Sequence, residues 1–163
     1  MRRALLVAVL AVLVVPVAWS ATKASITPVS ITGARLGLHA SAYKQLLGTP
    51  VHKDVLENNY SRLVFTKRKV EVYFKGKADK GIEITTWNKA YKTAAGIGPC
   101  SSVAQLKAAY GTKLKTFKQG GKTYAYTLGK LILAANDLEH VTAIALGSGQ
   151  AAIFVALNVT PCS

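Results

Sequence analysis

The apolar residues of two short stretches recur at the spacing of an α-helix. In residues 37–50 they make one face, formed by Ala40, Tyr43, Leu46 and Leu47. Gly48 suits the left-handed residue that follows a helix, and Pro50 prevents continuation. The pattern predicts a helix of about ten residues, because its length is bounded by these two stop signals.

Residues 98–111 repeat this design. Val103, Leu106 and Tyr110 form the apolar face, and Gly111 ends it. Ser101 or Ser102 is suited to accept hydrogen bonds from the first free N–H groups of the helix. This stretch therefore predicts a second short helix.

After each helix the apolar period changes to two, which is typical of strands with one buried face. Residues 51–60 show no clear period, and a helical turn through Val55 and Leu56 is one interpretation. The predicted strands of the first half are 62–66, 70–75 and 82–87, and those of the second are Thr123–Leu128, Lys130–Ala134 and Val141–Leu146. Ala151–Val159 predicts a seventh strand with no counterpart in the first half.

The order helix, strand, strand, strand occurs twice, and 63 residues separate Gly48 from Gly111. This agreement predicts a duplication; two short amphipathic helices matching by chance are the alternative. The predicted fold class is α+β, with two tandem helix-plus-antiparallel-sheet repeats. The predicted division is a signal peptide at 1–20, a leader at 21–32, a first repeat at 33–87, a linker at 88–97 and a second repeat with the extra strand at 98–163.

The first twenty residues have the three parts of a secretory signal peptide. Arg2 and Arg3 precede the apolar run Leu5–Val15, and small residues follow it. We expect cleavage after Ser20, with Ala24 as a second position. An uncleaved anchor is the alternative, but the run is short for a membrane span of about 20 residues. No cysteine lies near the cleavage point, so we expect a secreted protein without a lipid anchor.

The net positive charge of the chain indicates which classes of partner to expect. Lys and Arg number 21 against seven acids, which gives a formal net charge of +14, and loss of Arg2 and Arg3 with the signal peptide would lower it to about +12. Such an excess favours salt-sensitive association with anionic surfaces. For an exported chain these are envelope polymers, membrane surfaces or acidic proteins, and nucleic acid is not the expected partner.

Two cysteines, Cys100 and Cys162, remain in an oxidising compartment, where an even count predicts a disulfide. Closing a loop of about 60 residues contributes roughly 4 kcal/mol in the chain-entropy model. Two free thiols are the alternative. Nothing in the sequence near Cys100 would activate it as a nucleophile.

The sequence contains no recognisable catalytic set. The three histidines, His39, His52 and His140, are far apart and lack the spacing of a zinc site. Glu71 and Glu83 are expected to be neighbours, but surrounding basic residues favour ion pairs over acid–base catalysis. We therefore expect a non-enzyme with no metal and no cofactor; an unfamiliar hydrolase that uses His140 is the competing interpretation.

The strand pattern also predicts an outward face. The inward-facing set is predicted to be Val70, Val72, Phe74, Ile82 and Ile84. The opposite side then carries Arg62, Tyr73, Lys75, Thr85 and Trp87. Aromatic and basic side chains give much contact energy per ordered residue, so this face is the predicted site for a protein partner. In the alternative, the rings cover the sheet edge or pack between the repeats.

The stretch 37–50 resembles the opening helix of the BamE (SmpA/OmlA) family of envelope proteins. The resemblance lies in the pair Gly37–Leu38 and in an apolar-x-x-leucine-glycine-x-proline pattern that ends at Pro50. Two such units, exported and joined by cysteines, look like the β-lactamase inhibitor protein family. That resemblance implies helices on an antiparallel sheet whose other face meets a partner. The second copy departs from the pattern, since no proline follows Gly111-Thr112 and Cys100 stands where the first has Gly37. No inhibitory residues can be carried over.

Two functions therefore compete. The first is a secreted, non-enzymatic protein that contacts a protein partner through the exposed sheet face. The alternative is a basic protein that binds the envelope or an anionic polymer through its charge.

Overall fold

The computed structural model describes residues 25–56, 59–77, 79–119, 121–135, 139–147 and Cys162. The predicted signal peptide and the predicted strand Ala151–Val159 lie outside these residues. Within the described chain no helix has both the length and the apolar character needed to cross a membrane.

Two helices of eight residues each form at the predicted places, α1 at Ala40–Leu47 and α2 at Val103–Tyr110. Their starts differ. In α2 the Ser102 hydroxyl accepts from Gln105 N–H at 3.0 Å, and the Gln105 side chain accepts from Ser102 N–H at 2.9 Å. This reciprocal pair satisfies two backbone donors. The side chain of His39, at the start of α1, makes no such bond.

The described strands comprise one small hairpin and one large sheet. Strands β1 (Ile26–Thr27) and β2 (Ser30–Ile31) form the hairpin. The large sheet has eight antiparallel strands in the order β3-β4-β5-β6-β10-β9-β8-β7. Their bounds are β3 His52–Val55, β4 Tyr60–Phe65, β5 Val70–Lys75, β6 Gly81–Thr86, β7 Lys115–Gln119, β8 Lys122–Leu128, β9 Leu131–Ala134 and β10 Ala143–Leu146.

The predicted fold of two tandem helix-plus-sheet repeats is wrong. Strand β6 pairs with β10, with Thr85 opposite Ala145, so the described strands β3–β10 form one continuous sheet accompanied by two short helices. The physical reason is that β6 and β10 are buried along most of their length. Two separate sheets would leave backbone donors and acceptors of these strands unpaired in the interior, which is costly.

A helical turn through Val55 and Leu56 is also wrong. His52–Val55 is the edge strand β3, which pairs with β4 so that Lys53 lies opposite Leu63. Strand β7, at the other edge, is absent from the predicted set. Both edge strands consist mainly of exposed residues and therefore lack the apolar alternation that marks a half-buried strand.

The main core lies between the sheet and the two helices. Tyr43 of α1 and Leu106 of α2 are fully buried there against strand residues such as Phe65, Val72 and Ile144. Tyr43 donates its hydroxyl to the Arg35 carbonyl oxygen at 2.5 Å. Burial raises the pKa of Tyr43 to about 12, and a backbone hydrogen bond at Leu38 acts in the opposite direction. The phenol therefore stays neutral in the folded protein.

Gly81 leaves space for the ring of Tyr43, which packs against the start of β6. A Cβ at this position would overlap the tyrosine ring, so any larger residue would displace a fully buried side chain. The start of β6 therefore packs closely against α1 because Gly81 has no side chain.

The centre of the sheet is buried on its other side as well. Ala134, Ala143 and Ala145 are each fully buried there and pack with Trp87. Side chains on both sides of the central strands are thus withdrawn from solvent, which differs from the single buried face that the sequence predicts.

Cys100 and Cys162 form the predicted disulfide, with Cα atoms 5.2 Å apart. Cys100 precedes α2, and its N–H donates to the Val141 carbonyl oxygen at 2.7 Å. The bridge therefore joins the far C-terminus to the point where α2 meets the sheet.

Candidate functional site

The five residues of the predicted binding face lie on the side of the sheet opposite the helices. Lys75 is exposed, and Arg62 and Trp87 are half-buried. Tyr73 is only 6% exposed, however, and Thr85 is 0% exposed. The expectation that all five face solvent is wrong for these two, because the central strands are buried on both sides. Trp87 packs against the alanine cluster of the central strands.

A polar network occupies this face around Arg62. The guanidinium donates from Nε to Asp54 Oδ2 at 2.7 Å, and its Nη1 lies 3.4 Å from Glu71 Oε1. Tyr73 donates its hydroxyl to Glu71 as well. Register explains the cluster, since Asp54, Arg62 and Tyr73 lie opposite one another on β3, β4 and β5. The ion pairs predicted for Glu71 thus form with Arg62.

The network fixes the charge state of its members. Burial acts to lower the pKa of Arg62, but hydrogen bonds with Asp54 and Tyr73 and the charge of Glu71 outweigh it and raise the pKa. Burial and the hydrogen bond to Glu71 raise the pKa of Tyr73. Arg62 therefore stays cationic and Tyr73 neutral, as suits a structural ion network.

Glu83, the second carboxylate of the predicted pair, has a different neighbour. It is 2% exposed and lies two residues before Thr85, whose hydroxyl donates to Glu83 Oε1 at 3.4 Å. Together with Asp54 and Glu71, it places three acidic side chains on the side of the sheet away from the helices.

The histidines do not converge. His39 Nδ1 lies 3.8 Å from Asp79 Oδ2 at an exposed position, and the His140 backbone bridges to Ser102. Among the described residues no group of three or more His, Cys, Asp or Glu is placed to hold a metal ion.

A cleft of about 670 Å³ lies on the helix side, between the start of α1 and strands β4 and β5. Its floor includes Leu63 and Phe74, and three exposed lysines surround it. These are Lys44 on α1, Lys53 on β3 and Lys77 in the turn after β5. Their convergence makes this cleft strongly basic.

Two other cavities are less charged. One, of about 540 Å³, lies between residues 92–97 and α2, where Lys92 Nζ donates to the Pro99 carbonyl oxygen at 3.2 Å. Burial lowers the pKa of Lys92. The other, of about 260 Å³, is lined mainly by apolar groups between β1 and the end of β8. Neither gathers several cationic groups.

Sequence reasoning missed the lysine cleft. No local sequence pattern distinguishes Lys44, Lys53 or Lys77 from the other lysines. The three lie on different elements with no regular spacing, so pairing of β3 with β4 is what brings Lys53 to the helix side.

The chain matches no protein-family model and no curated protein sequence. Its fold is similar to the crystal structure of an extracellular protein containing an SCP domain from Bacillus anthracis, with a TM-score of 0.48, 8% identity, and 69% of this chain and 44% of that chain covered. It is also similar to a cysteine-rich secretory protein from Staphylococcus aureus, with a TM-score of 0.47, 11% identity, and 72% and 46% covered. The chain thus spans less than half the length of either protein.

The resemblance to BamE and β-lactamase inhibitor proteins drawn from residues 37–50 is wrong. No family model matches the chain, and the two similar structures are described as an SCP-domain protein and a cysteine-rich secretory protein. The glycine and proline that bound residues 37–50 are local start and stop signals of a helix, and they do not specify the rest of the fold. With identities of 8% and 11%, neither structure assigns an activity to this chain.

Proposed function

We propose that this protein is an exported, non-enzymatic protein that binds an anionic polymer of the cell envelope. The observation that carries the proposal is the convergence of three cationic side chains on one cleft. Lys44, Lys53 and Lys77 line this cleft on the helix side, and Asp79 is the one carboxylate among the described residues that lines it with them. A protein of net charge +14 thereby presents a cationic region with few competing carboxylates.

Export is supported by the N-terminal sequence pattern and by the Cys100–Cys162 disulfide, which is the kind of bond that persists in oxidising compartments. The competing proposal, capture of a protein partner by the sheet face, receives less support. Burial of Tyr73 and Thr85 withdraws from the surface two of the five side chains on which it depends.

The test is retention of the full mature protein on immobilised polymers at two salt concentrations. We expect retention on a poly(glycerol phosphate) resin at about 50 mM salt and release by about 500 mM, since the Debye length shrinks severalfold over this range. An uncharged polysaccharide resin serves as the control. No retention on the phosphate polymer at low salt, or equal retention at both salt concentrations, would contradict the proposal.

A further inference from the structure

We infer that the cleft beside α1 is a binding site for a phosphate group, held by Lys44, Lys53 and Lys77. In the context of the proposed function, the group is a phosphodiester of the polymer. The site itself is defined by the geometry of the cleft, and it is tested below separately from the polymer.

The three lysines approach the cleft from three sides. Lys44 projects from α1, Lys53 shares the side of the sheet with Leu63 directly opposite it, and Lys77 follows the end of β5. Ammonium groups act as point charges toward phosphate, and several are needed to surround it. The hydroxyls of Ser41 and Ser61 on the same walls add neutral donors and acceptors. This combination is suited to an oxyanion.

Among the described residues, Lys44, Lys53 and Lys77 make no ion pair with a carboxylate. The acid that lines the cleft, Asp79, is 61% exposed and lies beside His39. Arg62 also lines the cleft, but its guanidinium pairs with Asp54 and Glu71 on the other side of the sheet. The cleft therefore retains a positive charge that a bound anion would balance.

The start of α1 adds to this field. Ala40 and Ser41, the first two residues of the helix, line the cleft. His39 gives the helix no side-chain cap, in contrast to Ser102 at α2. Free N–H groups at a helix start, together with the helix dipole, favour an anion there. This contribution supplements the lysines, which remain the main determinant.

The volume of the cleft indicates the size of the ligand that it can hold. A volume of about 670 Å³ falls within the range of about 300–1,000 Å³ that is typical of small-molecule sites. A lone phosphate would fill a small part of it. A phosphate with the sugar or polyol on either side would occupy the rest, which suits one repeat unit of a phosphodiester polymer.

The experiment compares two triple variants of equal charge. K44Q/K53Q/K77Q removes the lysines of the cleft, whereas K67Q/K89Q/K118Q removes three exposed lysines that do not line it. Each protein is titrated with inorganic phosphate and with glycerol phosphate while backbone amide resonances are followed by NMR. In the wild type and the control variant we expect saturable shifts at Ala40, Ser41 and Lys77. In K44Q/K53Q/K77Q the affinity should fall by about tenfold or more, since several charge-assisted bonds are lost.

Retention on the poly(glycerol phosphate) resin is then measured for the same three proteins, beside binding to vesicles of anionic phospholipid. Loss of phosphate shifts and of polymer retention in the cleft variant alone supports the site. Equal phosphate affinity in both variants, or shifts distributed over all lysines, overturns it even if polymer binding persists. Phosphate shifts at the cleft without polymer retention uphold the site and reject the polymer. Vesicle binding that depends on the cleft lysines, without retention on the polymer, identifies a lipid headgroup as the source of the phosphate.

Amide spectra and thermal unfolding of the two variants, compared with the wild type, separate loss of binding from loss of folding. All six substituted side chains are exposed, so we expect both variants to fold as the wild type does.

Discussion

Arg62 on β4 donates its Nε–H to Asp54 Oδ2 on β3 at 2.7 Å, across the edge of the large sheet. The same guanidinium faces Glu71 on β5, so one cation links three neighbouring strands. Glu71 is 7% exposed and takes its other hydrogen bond from Tyr73, a neutral donor. Arg62 thus supplies the positive charge that this buried carboxylate contacts.

Replacing Arg62 with Met should therefore lower the free energy of unfolding by about 2–4 kcal/mol, because it leaves Glu71 charged and poorly solvated. Urea denaturation at pH 7 measures this. Asp54→Asn is the matched variant: it removes the more exposed partner and should cost about 1 kcal/mol or less. Equal costs for the two substitutions would show that Glu71 does not depend on Arg62.

The helix starts provide a second comparison. Ser102→Ala removes the acceptor for Gln105 N–H and should cost about 1 kcal/mol. His39→Ala, at the corresponding position of α1, removes no capping bond and should cost less than about 0.5 kcal/mol. Thermal denaturation of both variants tests the difference, and a larger loss for His39→Ala would be the opposite of what the caps require.

The disulfide should have a measurable effect on stability. Reduction opens a loop with a sequence separation of 62 and should lower the free energy of unfolding by roughly 4 kcal/mol. The intact mass should rise by two hydrogens, and alkylation should require reductant. In a Cys100→Ser/Cys162→Ser variant, reductant should change nothing. Alkylation of both cysteines without reductant would rule out the bond.

Tyr43 should make the fold sensitive to alkali. Its pKa is about 12 in the folded protein against 10.0 for an ordinary tyrosine, so between these values the unfolded chain loses a proton that the folded chain retains. Stability is thus independent of this group below pH 10 and falls as the pH rises toward 12, by at most about 2–3 kcal/mol. Urea denaturation at pH 9, 10 and 11 should show a shallower decline for Tyr43→Phe. An identical decline in both proteins would contradict this.

Both helices were predictable from the sequence because their determinants are local. Apolar spacing, a glycine stop and, in α2, the serine cap all lie within one stretch. Tyr43 and Leu106 are buried as predicted, although Leu46, also assigned to the apolar face, is 45% exposed. The strands that carry clear alternation, such as β5 at Val70–Lys75, were also placed correctly.

The two edge strands and the burial of the outer side of the sheet could not be predicted, because in both cases the pattern of apolar residues does not report burial. Val55 in β3 is 85% exposed and Phe117 in β7 is 43% exposed. The apolar residues of these two edge strands therefore do not mark a buried face in the sequence. Conversely, Thr85 is polar and its position alternates with Ile84, yet it is fully buried. Alternation reports which residues share a side of a strand. It does not report whether a second layer covers that side.

The lysine cleft could not be predicted from local sequence patterns either. Lys44, Lys53 and Lys77 are brought together by the packing of α1 on the sheet and by the pairing of β3 with β4. In the sequence they are three among many lysines. Only the tertiary arrangement distinguishes them from Lys67 or Lys118.

The pairing of β6 with β10 has a consequence for the order in which the chain folds. The two central strands are separated in the sequence by residues 87–142, so the pairing of β6 with β10 cannot form until residues 143–146 have emerged. Contacts between such distant segments slow folding and leave β6 as an open edge in any shorter nascent chain. A chain whose central strand pair depends on residues 143–146 therefore stays incompletely folded until those residues have been synthesised.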